Sequence, residues 1–226
     1  WLLQQQDPDR VAAGKRLVGH GADYIVLDDG FQHRRLHRDR DVVCLDATLP
    51  FGNGQCLPAG DLREFRSGLR RADVILLTRA GCLSEDLRLQ RMTRIAQMVG
   101  RDVPLYCCDH APRDVVRQPS GAVEELAALR GRRVVLWSAI ARPQSFRETA
   151  ALLGCEVVGE QVHRDHHRFT AADVAAAQQK AKAAGAELLT TEKDDARLDA
   201  FDVERLVLRI DLRFLDAAPL PGEFLL

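Results

Sequence analysis

Short apolar runs recur along the chain, and they constrain its fold more than any other feature. They lie at residues 24–27, 41–45, 74–78, 105–108, 134–137 and 188–191. Runs of this length, bounded by polar residues and separated by helical or irregular stretches, are typical of strands buried on both faces. The sequence therefore predicts an α/β fold with a mostly parallel sheet covered by helices.

The segments between these runs carry helix signals. Helices are predicted at residues 8–20, 84–99, 122–129, 144–153 and 170–184, and two further strands at residues 157–158 and 206–214. Ser84 is followed by two acids, which suits a helix N-terminus, and Thr170 with Asp173 forms a capping-box pattern. Residues 112–119 are predicted to be a connector, so that the chain forms two small α/β units.

Composition limits the classes of function. The chain of 226 residues is 46% hydrophobic and 29% charged with a net charge of -1, and many of its basic residues are interleaved with acids. These values are ordinary for a globular protein and argue against a general nucleic-acid binder. No apolar run approaches the roughly 20 residues that span a bilayer. The six cysteines lack a CxxC pattern and are predicted to be reduced core residues of a cytosolic protein.

Two adjacent acids follow the first apolar run. Asp28 and Asp29 come directly after residues 24–27 and precede Gly30 and the pair Gln32-His33. The carboxyl ends of buried parallel strands are where open α/β sheets bind ligands, and two carboxylates there suit a divalent metal beside a phosphate. An Asp-Asp-Gly turn that closes a hairpin is the alternative that these residues alone leave open.

Three other segments carry polar side chains. The irregular loop of residues 46–71 has the length of a functional loop and contains Arg63-Glu64, although such a pair is by itself typical of a solvated surface. His163-x-x-His166-His167 resembles a metal-ligand spacing, but adjacent histidines on an extended chain point to opposite sides. A histidine beside Asp165 better suits acid/base work or phosphate contact. Thr191-Glu-Lys-Asp194 indicates a helix N-cap.

An ordered set of motifs runs along nearly the whole chain. It consists of Asp28-Asp-Gly-Phe-Gln-His33, Phe51-Gly-Asn-Gly54, Leu57-Pro-Ala-Gly60, Leu62-Arg-Glu64, Ala139-Ile-Ala-x-Pro-x-x-Phe146, Asp165-His166 with Phe169, and Thr191-Glu-Lys-Asp194. In this order the set closely resembles the tetraacyldisaccharide 4'-kinases, the lipid A kinases of Gram-negative bacteria.

The resemblance implies a P-loop NTPase-like kinase of two α/β domains joined by a two-stranded hinge. Such an enzyme uses Mg²⁺ and transfers the γ-phosphate of ATP to the 4'-hydroxyl of tetraacyldisaccharide 1-phosphate, a lipid, as a peripheral protein on the cytoplasmic face of the inner membrane. No protein or nucleic-acid partner is implied. Residues 1–118 are predicted to form the kinase core, residues 119–206 the smaller C-terminal domain, and residues 207–226 the return hinge strand and tail.

The resemblance also implies a set of site residues. His166 matches the family's catalytic histidine, which acts with an aspartate base, and Asp28 and Asp29 stand at the metal and phosphates. Arg63 and Glu64 match active-site positions, with Glu64 a further metal ligand. Contacts to substrate or phosphate are assigned to Gln32, His33 and Asp165. Closure of the hinge is expected to bring His166 toward Asp28.

One expected element is absent from the sequence. No G-x-x-x-x-G-K-[ST] motif, the phosphate-binding P-loop, occurs in the 226 residues. In the family this loop and the aspartate base precede the Asp-Asp-Gly segment, so the chain is expected to be an N-terminally incomplete enzyme, inactive alone, with an exposed apolar sheet edge. Two other functions stay open: a nucleotide- or lipid-binding module that never had a P-loop, and a metal-dependent hydrolase that uses the aspartates with His166 and His167.

Overall fold

The chain folds into two units, each with its own strands, helices and core. The computed structural model describes residues 3–165, 167–216, 218, 219 and 222. Unit 1 consists of the described residues of Trp1–Asp109 and Phe214–Leu226, and unit 2 is formed by those of His110–Arg213. The sequence predicts kinase domains at residues 1–118, 119–206 and 207–226. The two units do not test these boundaries, which therefore stay a prediction.

Unit 1 is built on three parallel strands. Its elements are α1 (Arg10–Gly19), β1 (Val42–Asp46), β2 (Val74–Thr78), α2 (Glu85–Val99) and the first part of β3 (Leu105–Gln118). β2 lies between β1 and β3, and both pairings are parallel. Ile75 and Leu77 of β2 are buried and belong to one core cluster with Ile95 and Val99 of α2. The apolar run at residues 74–78 thus forms the buried strand that its sequence predicts.

Unit 2 is a second parallel α/β unit. Its elements are the rest of β3, β4 (Ala122–Glu124), β5 (Arg133–Ser138), α3 (Pro143–Leu152), β6 (Glu156–Val162), α4 (Ala171–Ala184), β7 (Glu187–Thr191), α5 (Glu192–Leu198) and most of β8 (Arg205–Phe214). β8, β7, β5 and β6 lie side by side in that order with parallel pairings. Trp137 of β5 is fully buried, and its ring centroid lies 5.0 Å from that of Phe169.

The helix ends follow the local signals in the sequence. Asp9 caps α1, Ser84 caps α2, and a capping box of Thr170 and Asp173 opens α4, because their side-chain oxygens accept bonds from free backbone N–H groups. Gly185 ends α4 in the left-handed conformation, with a φ of 56°. Among the described residues, none of the helices combines enough length with enough apolar character to cross a bilayer.

The prediction of a buried strand at residues 24–27 is wrong. These residues form no strand, and Tyr24, Ile25 and Val26 are 63%, 42% and 94% exposed. A strand needs a neighbour to satisfy its backbone groups and a covering layer to bury its side chains. No strand in the described part of the chain pairs with this run. The acids at residues 28 and 29 therefore follow an exposed segment rather than a buried strand.

The connector predicted at residues 112–119 is also wrong, because β3 continues to Gln118. Charged side chains fix this part of β3 beside β8. Asp114 accepts two hydrogen bonds of 2.6 Å from Arg209, and Arg113 donates to Asp211 at 3.0 Å. These contacts join residues almost a hundred positions apart, so no local pattern could show them.

Residues 122–129 were expected to form a helix, and most of this segment does not. Ala122–Glu124 is the strand β4, which pairs antiparallel with β3. Gly121, with a φ of 73°, donates its N–H to Arg117 O at 2.8 Å and closes this hairpin. Leu126–Leu129 follows as a single 3-10 turn.

The six cysteines are all free, as the missing CxxC pattern predicts. Cys107 and Cys108 of β3 are buried, and burial raises the pKa of the Cys108 thiol to about 11. Cys44 and Cys82 are exposed, so the expectation of core positions is wrong for these two.

Candidate functional site

A tight turn presents Asp28 and Asp29 on unit 1. Both residues are exposed, and Asp29 has a φ of 52°, a left-handed conformation that aspartate adopts more readily than most residues. The next position requires a glycine, because a Cβ on Gly30 would lie 2.5 Å from the side chain of Leu27. Gly30 O accepts a hydrogen bond of 2.9 Å from the N–H of His33, so a second turn follows directly.

The loop between β1 and β2 brings Arg63 to this turn. Cys56 and Leu62 form an isolated bridge that folds the loop back on itself. Gly60 lies inside this fold, where a Cβ would approach a backbone oxygen to 2.3 Å. The guanidinium of Arg63 forms an ion pair with Asp29, and both side chains are more than half exposed. Solvent screens such a pair, so the guanidinium stays available to an anion.

Glu64, the next residue, lies in a more enclosed cluster. Its carboxylate accepts hydrogen bonds from both terminal nitrogens of Arg71, at 2.9 and 2.7 Å. Arg34 donates to it at 3.0 Å and Gln32 Nε2 at 3.1 Å. The Arg71 guanidinium lowers the pKa of Glu64 to about 2, against an opposing effect of burial and with help from Gln32 and Arg34. Glu64 is therefore ionised at neutral pH.

The structure brings the predicted residues of unit 1 together in two contacts. Asp29 meets Arg63, and Gln32 meets Glu64. Asp28 shares the turn of Asp29, and His33 begins the next stretch, where its carbonyl accepts a hydrogen bond of 2.6 Å from Arg38. Two exposed carboxylates beside an exposed guanidinium offer the charges that a metal–phosphate complex binds.

Sequence reasoning missed Arg34 and Arg71, the two cations that hold Glu64. Arg34 begins a run that is rich in arginine, and Arg71 ends the 3-10 helix Arg66–Arg71, in which three arginines occur. No spacing in the sequence distinguishes either one from its neighbours. The contacts arise because the loop that carries Glu64 folds back against residues 31–34.

Asp165, in unit 2, accepts a hydrogen bond from Lys193 Nζ at 3.3 Å. His166 lies outside the described residues, so the catalytic role that the family resemblance implies stays a prediction. The expected approach of His166 to Asp28 stays a prediction for the same reason.

Two histidines near Asp165 in the sequence share one carboxylate. His167 Nε2 lies 3.0 Å from Asp173 Oδ2, and His163 Nδ1 lies 3.9 Å from Asp173 Oδ1. The His167 contact and those of Thr170 lower the pKa of Asp173 to about 2, and burial lowers the pKa of His163. Nitrogen and oxygen atoms of these three residues could surround a metal ion. However, Asp173 Oδ2 already accepts two bonds from Thr170, so the carboxylate serves the start of α4.

Asp194 has a structural role. It is fully buried, and its carboxylate accepts hydrogen bonds from Ala139 N–H at 3.0 Å and from Thr191 Oγ1 at 2.9 Å. Thr191 caps α5, which confirms the N-cap predicted for Thr191-Glu-Lys-Asp194. This motif joins the carboxyl ends of β5 and β7.

The chain is similar to known proteins over almost its whole length. A family model described as tetraacyldisaccharide-1-P 4'-kinase (LpxK) matches residues 6–224. A tetraacyldisaccharide 4'-kinase of Anaeromyxobacter sp. (strain Fw109-5) is 45% identical, over 96% of this chain and 62% of that protein. Another, of Syntrophus aciditrophicus (strain SB), is 37% identical, over 84% of this chain and 53% of that protein.

A solved structure shares the fold. The crystal structure of LpxK from Aquifex aeolicus in complex with ATP matches with a TM-score of 0.56 and 25% sequence identity, over 83% of this chain and 52% of that chain. Together with the parallel pairings, this likeness confirms the predicted α/β fold class. The chain spans from 52% to 62% of the length of these three proteins.

Proposed function

The chain belongs to the tetraacyldisaccharide-1-P 4'-kinase family, and we propose that it acts in the transfer of the γ-phosphate of ATP to the 4'-hydroxyl of tetraacyldisaccharide 1-phosphate, a step of lipid A biosynthesis. The family match over residues 6–224 carries this proposal. The exposed acids Asp28 and Asp29 and the guanidinium of Arg63 support it. Phosphoryl transfer depends on positioning and on neutralising charge, and these side chains supply both signs of charge.

We assign Mg²⁺ to Asp28 and Asp29. Magnesium ions in such enzymes are held by one or two carboxylates together with substrate phosphates. Two adjacent exposed aspartates on one turn fit that donor set. When bound, the ion neutralises negative charge on the phosphates. Glu64, a third predicted ligand, has both oxygens engaged by Arg71, and we assign it to shaping the loop.

We assign most of the remaining predicted residues to binding and orienting the two substrates. Arg63 would contact a phosphate oxygen, because its guanidinium is exposed and already lies beside Asp29. Gln32 and His33 follow the Asp28-Asp29 turn, and we assign to them the contacts with substrate or phosphate that the family resemblance implies. For Asp165 and His166 in unit 2 the assignment rests on the family resemblance: His166 acts in catalysis, and Asp165 contacts the substrate.

The acceptor is a lipid and the donor is ATP. We therefore propose that the protein works at a membrane surface, as a peripheral protein on the cytoplasmic face of the inner membrane, where ATP is available. This placement follows from the chemistry of the two proposed substrates.

An assay of phosphate transfer tests the proposed function. The complete gene product is incubated with Mg²⁺, ATP labelled in its γ-phosphate and tetraacyldisaccharide 1-phosphate. We expect label in the lipid product and none when the acceptor already carries a 4'-phosphate. Binding of ATP or lipid without transfer would favour a binding module instead. Consumption of the lipid without ATP would favour a metal-dependent hydrolase, and either result would contradict the kinase.

A further inference from the structure

Arg71 joins the two segments that carry the candidate site. It ends the 3-10 helix Arg66–Arg71, which directly follows the loop that carries Arg63 and Glu64. Its two terminal nitrogens donate to the two oxygens of Glu64 at 2.9 and 2.7 Å. This paired geometry fixes the orientation of both groups as well as their separation.

The same guanidinium reaches the residues after the Asp28-Asp29 turn. Arg71 Nη2 donates to Phe31 O at 3.3 Å, and the guanidinium carbon lies 4.3 Å from the centre of the Phe31 ring. Gln32, the next residue, donates to Glu64 at 3.1 Å. Arg71 therefore contacts both the carbonyl and the ring of Phe31, two residues beyond Asp29. It also holds the carboxylate of Glu64, which accepts the hydrogen bond from Gln32.

These contacts are more enclosed than the other ion pair of the site. The side chains of Arg71 and Glu64 are 29% and 20% exposed, whereas those of Arg63 and Asp29 are 58% and 63% exposed. Exposed ion pairs contribute little, because water screens the charges and two long side chains lose freedom. The place of the Asp28-Asp29 turn therefore depends more on Arg71 than on Arg63.

We propose that Arg71 is a positioning residue, which through Glu64 and Phe31 fixes the Asp28-Asp29 turn in the orientation that phosphoryl transfer requires. The effect on catalysis rests on the proposed function, whereas the effect on the turn does not. Displacing a catalytic group by about 1 Å can cost about 100-fold in rate, so a residue that touches no substrate can still limit turnover.

Arg70 offers a matched control. It precedes Arg71 in the same 3-10 helix and has the same side chain, but its Nε donates to Met98 O of α2 at 3.5 Å. Replacing either arginine by methionine removes one positive charge and keeps a long apolar stem. A difference between Arg71→Met and Arg70→Met therefore reports the contacts of Arg71 with Glu64 and Phe31.

Hydrogen–deuterium exchange tests the effect on the turn without requiring activity. We compare Arg71→Met, Arg71→Lys and Arg70→Met in the complete gene product, using peptides that cover residues 28–36 and β2. Arg71→Met should speed exchange in residues 28–36 about tenfold, while Arg70→Met stays within about twofold of wild type and β2 is unchanged. Arg71→Lys should have an intermediate effect, because lysine keeps the charge and loses the paired donors.

Steady-state kinetics test the effect on catalysis. Arg71→Met should lower kcat about 10- to 100-fold with a smaller change in KM for ATP, and Arg70→Met should leave both within about twofold. Equal exchange and equal kcat in Arg71→Met and Arg70→Met would overturn the proposal. Where Arg71→Met unfolds the protein, Arg71→Lys replaces it, and wild-type exchange in that variant would also overturn it. If the wild type transfers no phosphate, the proposed function fails, while exchange still decides the role of Arg71.

Discussion

Residues 24–27 and residues 74–77 are both runs of four apolar residues that end at a polar side chain, Asp28 in one case and Thr78 in the other. In β2 the second run exposes no residue by more than 7%, whereas Val26 in the first run is 94% exposed. β2 has β1 on one side and β3 on the other, and α2 packs in the same core cluster. In the part of the chain that the structure describes, no strand pairs with residues 24–27.

This comparison shows that an apolar run is buried only where other parts of the chain cover it. An apolar run offers side chains to a core, but the neighbouring strands that cover it come from elsewhere in the chain. The candidate site follows this exposed run, and among the described residues no buried strand leads into it. Its geometry depends instead on the charged contacts of Glu64 and Arg71.

The largest expected difference is in stability, between one substitution in each run. Leu77→Ala leaves a cavity in a fully buried position and should lower the free energy of unfolding by about 2–5 kcal/mol. Val26→Ala removes side-chain atoms that are already in solvent and should change it by less than about 0.5 kcal/mol. Chemical denaturation of both variants measures the two values. Equal losses would show that residues 24–27 are buried in solution.

A smaller loss of stability is expected from removing a helix cap, a feature that the local sequence pattern did predict. Thr170→Ala removes the hydroxyl that accepts the N–H of Asp173 and donates to its carboxylate. We expect a loss of about 0.5–2 kcal/mol in the free energy of unfolding. Thr93→Ala, inside α2, is the control and should be neutral or slightly stabilising, since alanine favours helix interiors. If Thr170→Ala is as stable as Thr93→Ala, the hydroxyl of Thr170 does not stabilise the start of α4.

The pH dependence of stability tests the charged contacts of the candidate site. Arg71 lowers the pKa of Glu64 from 4.5 to about 2, so ionised Glu64 stabilises the folded state above about pH 4.5. This contribution is lost as the pH falls from 4.5 toward 2. The free energy of unfolding should fall more steeply for wild type than for Glu64→Gln across this window, by on the order of 1 kcal/mol.

Glu204→Gln is the control for this experiment, because Glu204 is exposed and lies in the other unit. The curve of Glu64→Gln should depart from that of wild type more than the curve of Glu204→Gln does. If the two variants depart from wild type by the same amount, Glu64 has no such contact with Arg71 in solution.

A small effect on stability is expected at the exposed ion pair of Arg63. Its ion pair with Asp29 is exposed on both sides, so Arg63→Met should change the free energy of unfolding by less than about 1 kcal/mol. Phosphate transfer should nevertheless fall, because the variant lacks the guanidinium assigned to a phosphate oxygen. Thermal unfolding and the transfer assay on the same preparation separate the two effects. A stability loss as large as that of Leu77→Ala would assign Arg63 to the fold instead.

Much of the fold could be predicted because its signals are local. The caps at Ser84 and Thr170 and the strand at residues 74–78 need only their neighbours in sequence, and each was placed within a residue or two. Residues 24–27 carry the same local signal as β2, so sequence alone could not distinguish the exposed run from the buried one.

The candidate site divides in the same way. Asp28 and Asp29 could be found as adjacent acids after an apolar run, although the strand that motivated their choice does not form. Arg34 and Arg71 could not be found, since they meet Glu64 from 30 positions upstream and 7 positions downstream. Which of many arginines meets a given carboxylate depends on how the loop folds.

Phosphate transfer by aspartate variants tests the assignment of the site most directly. Asp28→Asn and Asp29→Asn keep the shape of each side chain and remove its charge, and Asp39→Asn is a control at another exposed aspartate. In the complete gene product we expect each of the first two to lower kcat about 100-fold or more and Asp39→Asn to stay within about twofold of wild type. Transfer at the wild-type rate by both Asp28→Asn and Asp29→Asn would contradict the assignment.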